Sequence, residues 1–202
     1  MAPFTEKGDH MTFLILGLAL FLGIHSVRIV SDDARTRFIA TKGKGPWKGL
    51  YSVASAVGLA LIIWGYGAAR SQPVVLWEPT LAMKPVAVGL MLLAFILIIA
   101  AYVPGNAVKA SLHHPMVLSV MAWAVAHLLV KSTLASLLLF GSFGVWAALS
   151  FLAARKRDKA GGVVYARGRL VPTLITLVAG AATWAAFSRW GHGAWLGVQP
   201  LS

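Results

Sequence analysis

The apolar residues of this chain fall into six long blocks, residues 11–30, 50–69, 81–103, 115–130, 134–154 and 170–190. An α-helix needs about 20 mostly apolar residues to cross the hydrocarbon core of a bilayer. Five blocks reach that length, and the block at 115–130 is short. In lipid each spanning segment must satisfy its own backbone polar groups. The pattern therefore predicts an all-α integral membrane bundle of about six transmembrane helices. It is expected to form a single domain over residues 1–202, with an N-terminal tail at 1–10 and polar loops at 31–49 and 155–169. The short fourth element is expected either to tilt less or to start below the bilayer surface near Asn106.

The connections carry their own signals. Ser31 ahead of Asp32 and Asp33 predicts a helix start, with an N-cap hydroxyl and acids at the positive end of the dipole. Phe38 and Ile39 on that helix are expected to dip into the interface. Gly43-Lys44-Gly45-Pro46 predicts a break before Trp47. Residues 131–133 leave so short a link that the flanking helices should be antiparallel neighbours. Gly161-Gly162 punctuates the last polar loop. The pairs Ala54/Gly58, Gly65/Ala69 and Ala181/Ala185, each four apart, predict close helix packing.

Composition agrees with a membrane setting. Hydrophobic residues make up 58% of the chain and charged residues only 12%, against about 25% charged in soluble domains. Mean hydropathy is +0.77. The absence of Cys excludes disulfides, iron–sulfur clusters and covalently attached haem. The net charge of +12 would suit nucleic acid only on a soluble basic face. Here the cations sit between apolar blocks. The connections after blocks one, three and five hold 13 Lys and Arg, and the opposite side holds 5. The positive-inside rule then places the first set in the cytoplasm and both termini outside. Glu6 and Asp9 in the first ten residues are unlike a cleaved signal peptide.

Chemistry inside such a bundle falls to histidine. All six carboxylates lie outside the apolar blocks, while His25 and His127 lie within them. Ionisable groups at membrane depth mark functional sites by default. His25 lies about 8 Å from Val30 along the helix. Arg28 is nearly one turn on, placed to hold a haem propionate if His25 holds iron. The structural alternative has Arg28 snorkelling to lipid phosphate and His25 bonding a neighbouring carbonyl. In the second segment, Pro115 fits a first helical position and makes His114 a helix start. Trp123 and His127, four apart, share a face with Val120 and Met116. A flat ring beside an imidazole makes a wall for a planar cofactor, and the alternative is a core tryptophan with a capping histidine pair. With no acid in any block, charge pairing of these histidines is not expected. A zinc site would need three ligands and so would recruit His114; a bis-His b-type haem needs only two. Spacing leaves His25 with His127 and His25 with His114 nearly equal. His10 and His192 read as exposed tail residues, and Trp64, Trp77, Trp146, Trp184, Trp190 and Trp195 as an aromatic belt. Ser119, Ser132 and Ser136 have no carboxylate to complete a triad.

Three segments carry a family resemblance: Gly23-Ile24-His25-Ser26-Val27-Arg28, then Gly49-Leu50-Tyr51-Ser52, then His114-Pro115 through Trp123 to His127-Leu128-Leu129. In order and spacing the chain resembles the NnrU family of bacterial membrane proteins from about residue 11 onward. That resemblance implies an inner-membrane location and an association with denitrification and nitric oxide metabolism. The plant zeta-carotene isomerase, similar to this family, uses a histidine-ligated b-type haem to isomerise a polyene. By that likeness His25 and His127 are the axial iron ligands and His114 is a nearby third histidine. His113 stands where relatives often carry Arg, and Val130-Lys131-Ser132 replaces a small polar turn.

Three functions follow as expectations. The first is a haem b protein that binds a small gas ligand or passes electrons, with His25 and His127 on iron, Arg28 at a propionate and Trp123 in the pocket wall. The second is a haem-dependent cis-trans isomerase of a carotenoid-like polyene. The third is a cofactor-free assembly factor for a respiratory complex. The expected partners are membrane lipid and haem, with a gas or polyene ligand and no nucleic acid. Self-association into a homo-oligomer is compatible with each.

Overall fold

A computed structural model describes residues 6–200 of the chain. It is all-helical in class, and among the described residues β pairing is limited to two isolated bridges, Val75 with Thr133 and Asn106 with Arg169. Helices α1 (Glu6–Val30), α2 (Asp32–Lys42) and α3 (Lys44–Ala69) come first. They are followed by α4 (Lys84–Tyr102), α5 (Ala107–Leu112), α6 (Pro115–Val130), α7 (Leu134–Ala160), α8 (Leu170–Ala186) and α9 (His192–Leu196). A π-helical stretch, Phe187–Gly191, joins the last two. Five helical segments are long and apolar enough to cross a membrane: His10–Val30, Lys44–Ala69, Lys84–Tyr102, Leu134–Ala160 and Leu170–Leu196. Together with the shorter Pro115–Val130 they account for the six apolar blocks. At 1.5 Å per residue α6 is about 24 Å long, less than the roughly 30 Å hydrocarbon core.

The polar ends depart from expectation in three places. The segment 1–10, expected as a tail, contributes residues 6–10 to α1, while residues 1–5 lie outside the described residues. The loop at 31–49 is mostly helix. Ser31 makes no side-chain cap bond: its backbone, at φ −149° and ψ 58°, is not in the extended conformation usual for an N-cap, and its N–H continues the α1 ladder to the Val27 carbonyl at 2.8 Å. Gly43, at φ +90°, ends α2, and α3 starts at once with Pro46 in its first turn, where a missing N–H costs nothing. Likewise α7 runs past the apolar block to Ala160.

The chain divides into two compact units. In the first, residues 1–78 and 131–146, α1 packs on α3. Gly17 and Gly58 make the approach close: a Cβ on Gly58 would stand 2.8 Å from the Phe21 nitrogen, and one on Gly17 would stand 2.7 Å from the Ile62 nitrogen. Buried Gly65 and Ala69 extend the same seam, so two of the small-residue pairs serve packing. Phe38 of α2 meets Trp47 edge-on, with ring centroids 5.7 Å apart. Buried Ser136 lies 3.1 Å from the Tyr66 hydroxyl and accepts from the Thr133 hydroxyl at 2.8 Å.

In the second unit, residues 79–130 and 147–202, α4 packs on α6 and α8. Gly180 provides the close approach here, against Ile96, and Ala185 of the third small pair is exposed. Asn106, 1% exposed, caps α5 by accepting from the Lys109 N–H, and its amide donates to the Ala100 and Val103 carbonyls. It thereby satisfies the backbone where the chain breaks between α4 and α5. His114, at the start of α6, meets Phe151 on the late part of α7, the antiparallel relation that the three-residue link implies.

Candidate functional site

In the first unit His25 sits half-buried on α1 among aromatic rings. The Phe21 ring stacks on it at 4.2 Å, Tyr51 of α3 lies at 5.0 Å, and Trp146 of α7 stands edge-on at 6.0 Å. Phe143 backs Phe21 at 5.7 Å. The His25 Nδ1–H donates to the Phe21 carbonyl at 2.7 Å. One turn back along a helix, that carbonyl lies within reach of an imidazole. A proton held on Nδ1 leaves the lone pair on Nε2, the arrangement in which a second bond orients a ligating imidazole. The bond is also the one the structural alternative calls for. Trp146 was expected in the aromatic belt. It instead falls in the middle of the 27-residue α7, half-buried, and its indole N–H is buried with no hydrogen-bond partner. Ser55, one helical turn from Tyr51 on α3, likewise has a buried hydroxyl without a partner. Arg28 points toward the polar end, with Nε 3.9 Å from Asp32 and its side chain 60% exposed.

In the second unit His127 repeats the pattern of His25. Its Nδ1–H donates to the Trp123 carbonyl at 2.8 Å, and the two rings lie 5.3 Å apart. Trp123 thus contributes both its indole face and its carbonyl. His127 and His114 stand 13 residues apart on the same helix, about 20 Å along its axis, and so do not share one centre.

His114 departs from expectation. Its Nε2 hydrogen-bonds the Asp158 carboxylate at 2.7 Å, and the Tyr165 hydroxyl donates to the same oxygen at 2.8 Å. Charge pairing, judged unavailable from the apolar blocks, is supplied from outside them, because α7 continues beyond its apolar part and carries Asp158 to the start of α6. Burial, then the bond to Asp158 and its negative charge, raise the Tyr165 pKa above the usual phenol value. His113 precedes this pair at φ +68°, and the His114 N–H bonds back to the Leu112 carbonyl at 2.8 Å. That closes a three-residue γ-turn in its strained, positive-φ form. The His113 ring stacks flat on Tyr165, at 4.0 Å and 4°. Nor are the outer histidines exposed tail residues. His10 lies half-buried in α1, and His192 donates to the Val198 carbonyl at 2.6 Å.

His25 and His127 therefore share one arrangement, an imidazole whose Nδ1–H is held by the carbonyl one turn back on its own helix; in its neutral form such a ring carries its lone pair on Nε2. Two such donors are the set a b-type haem takes, and a buried, unsatisfied indole N–H beside His25 suits a polar edge of a bound group. Among the described residues no group of three or more His, Cys, Asp or Glu side chains is assembled to hold a metal ion. Sequence reasoning missed Phe21, Tyr51, Trp146, Asp158 and Tyr165. Phe21, four residues before His25, carried a positional signal, and Tyr51 lay in a segment that carries the family resemblance.

Comparison with known proteins gives one result. No curated protein and no solved structure matches the chain. The family model described as NnrU protein matches residues 13–200, nearly the whole chain, from within α1 to beyond α9 and across both histidine-bearing segments, and the chain belongs to the NnrU family.

Proposed function

We propose that this multi-pass membrane protein is a haem b protein in which His25 and His127 ligate the iron through Nε2. The observation that carries the reading is the matched Nδ1–H bond of each histidine to the carbonyl four residues before it. Two separate helices hold the same tautomer, and it is the one ligation needs. Phe21, Tyr51 and Trp146 surround His25 with apolar surface and exclude water. Trp123 would line the His127 side, and Arg28 at the polar end of α1 would hold a propionate. When bound, haem supplies a redox-active iron that passes electrons or takes a gas ligand such as nitric oxide. We place the protein in a bacterial inner membrane with both termini on the periplasmic side, as the distribution of 13 against 5 cations supports. Its role belongs to nitric oxide metabolism, as the family resemblance implies.

Purified protein tests this by absorption in both oxidation states. A sharp Soret band is expected. It should be lost in His25→Ala and in His127→Ala at unchanged helical content, and kept in His114→Ala. Colourless wild-type protein after growth with added haem precursor, or a band that survives both single substitutions, would overturn the reading.

A further inference from the structure

A second feature lies within the second unit. Where α7 leaves its apolar part, Arg155, Lys156, Asp158 and Lys159 line an open pocket of about 540 Å³ together with His113 and Tyr165. Three cations there face one carboxylate. That carboxylate is already engaged, accepting from both His114 and Tyr165 through one oxygen. Arg155 donates to Nδ1 of His113. Among the described residues neither Arg155, Lys156 nor Lys159 makes an ion pair.

The helix end does not account for these charges alone. Cations in a last turn offset the half negative charge of a helix C-terminus, and Lys159 with Arg157 supplies that. Arg155 and Lys156 lie more than a turn from the end and answer no acid. Arg155 and Lys159 are four apart, on one face. The wall opposite them is rigid. The strained turn at His113 fixes its ring flat on Tyr165, and Tyr165 is tied to Asp158. Gly162 at φ +61° turns the chain back to place Tyr165 there. A fork-shaped guanidinium and two ammonium groups, beside a flat aromatic wall, form the donor set for a tetrahedral dianion or monoanion carried on an organic group.

We propose that this pocket binds a phosphate group, held by Arg155, Lys156 and Lys159 against the Tyr165–His113 stack. The phosphate comes either from an acidic phospholipid head group or from a soluble phosphate.

Delipidated full-length protein in a neutral detergent separates the two sources. One arm titrates phosphatidylglycerol by native mass spectrometry, with phosphatidylcholine as the control. The other titrates inorganic phosphate by calorimetry. Saturable one-to-one binding is expected in one arm, weakened about tenfold or more in Lys156→Gln/Lys159→Gln. Among the described residues neither of these lysines makes a side-chain bond that the substitution would break, and Arg155→Gln serves as a second variant. Binding should be unchanged in Arg37→Gln/Lys42→Gln, which removes equal charge from α2. Phosphatidylglycerol binding assigns the lipid source, and phosphate binding assigns the soluble one. No saturable binding in either arm, equal binding of the two lipids without a phosphate response, or equal weakening in the α2 variant would overturn the proposal.

Discussion

His25 and His114 are the same side chain at the polar ends of two apolar helices, and their neighbours give them opposite characters. Rings of Phe21, Tyr51 and Trp146 enclose His25, and its polar bond runs to its own helix. Asp158 claims Nε2 of His114, and Tyr165 braces the carboxylate from the other side. The first arrangement leaves Nε2 as an acceptor. The second commits Nε2 as a donor. A helix can therefore select the tautomer by itself, through the carbonyl one turn back, whereas a carboxylate from elsewhere in the fold takes the ligating nitrogen out of play.

The comparison can be broken from either side. The largest effect is expected at the α1–α3 seam. Gly58→Leu drives a side chain into the Phe21 backbone and should cost about 1–3 kcal/mol, as over-packed cores do. A thermal melt followed by helical signal would show it, and an unchanged melt would mean the seam is not what holds the rings around His25. On the other side, Asp158→Ala frees His114 and Tyr165 from their shared acceptor. The melting temperature should fall by about 2–4 °C while the absorption of the proposed haem site stays as in wild type. Loss of that absorption would show that the two histidine environments are not independent.

A smaller effect concerns pH. The Tyr165 phenol is held neutral beyond its ordinary range by burial and by Asp158. An unfolded chain ionises this tyrosine near pH 10. The stability it lends is thus present below about pH 10 and is lost as pH rises toward the higher folded-state value. Ultraviolet titration of wild type against Tyr165→Phe should show one phenolate appearing later than model tyrosine; an ordinary titration would remove Asp158 and burial as its controls. The smallest effect is predicted for Trp146→Phe. It deletes a buried N–H that has no partner among the described residues, a gain of about 1–3 kcal/mol offset by the packing lost with the larger ring, so the melt should move by less than about 2 °C. A shift of the Soret band in that variant would place the indole at the edge of the bound group.

The sequence revealed the span pattern, because hydrophobic blocks of about 20 residues have few other uses. It also showed His25, His127 and the Trp123–His127 pairing, since each rests on position within one helix. The partners of His114 stayed hidden because 44 residues separate His114 from Asp158 in the chain and only the fold closes that gap. Trp146 was misjudged on residue type. Tryptophan is enriched at interfaces, but residue 146 lies near the middle of the apolar block at 134–154, and its position in the block was the better guide. The Ser31 cap failed because the tight junction of α1 and α2 holds its backbone outside the extended conformation usual for an N-cap.

The positive-φ turn at His113 sets one property of the protein against another. Holding a residue with a Cβ in that conformation costs about 1–3 kcal/mol, and His113 stays there while stacked on Tyr165. Glycine at this position would relax the chain and raise the unfolding temperature, yet it would take away the ring that stiffens the basic pocket. Selection for heat tolerance alone would therefore move position 113 away from histidine.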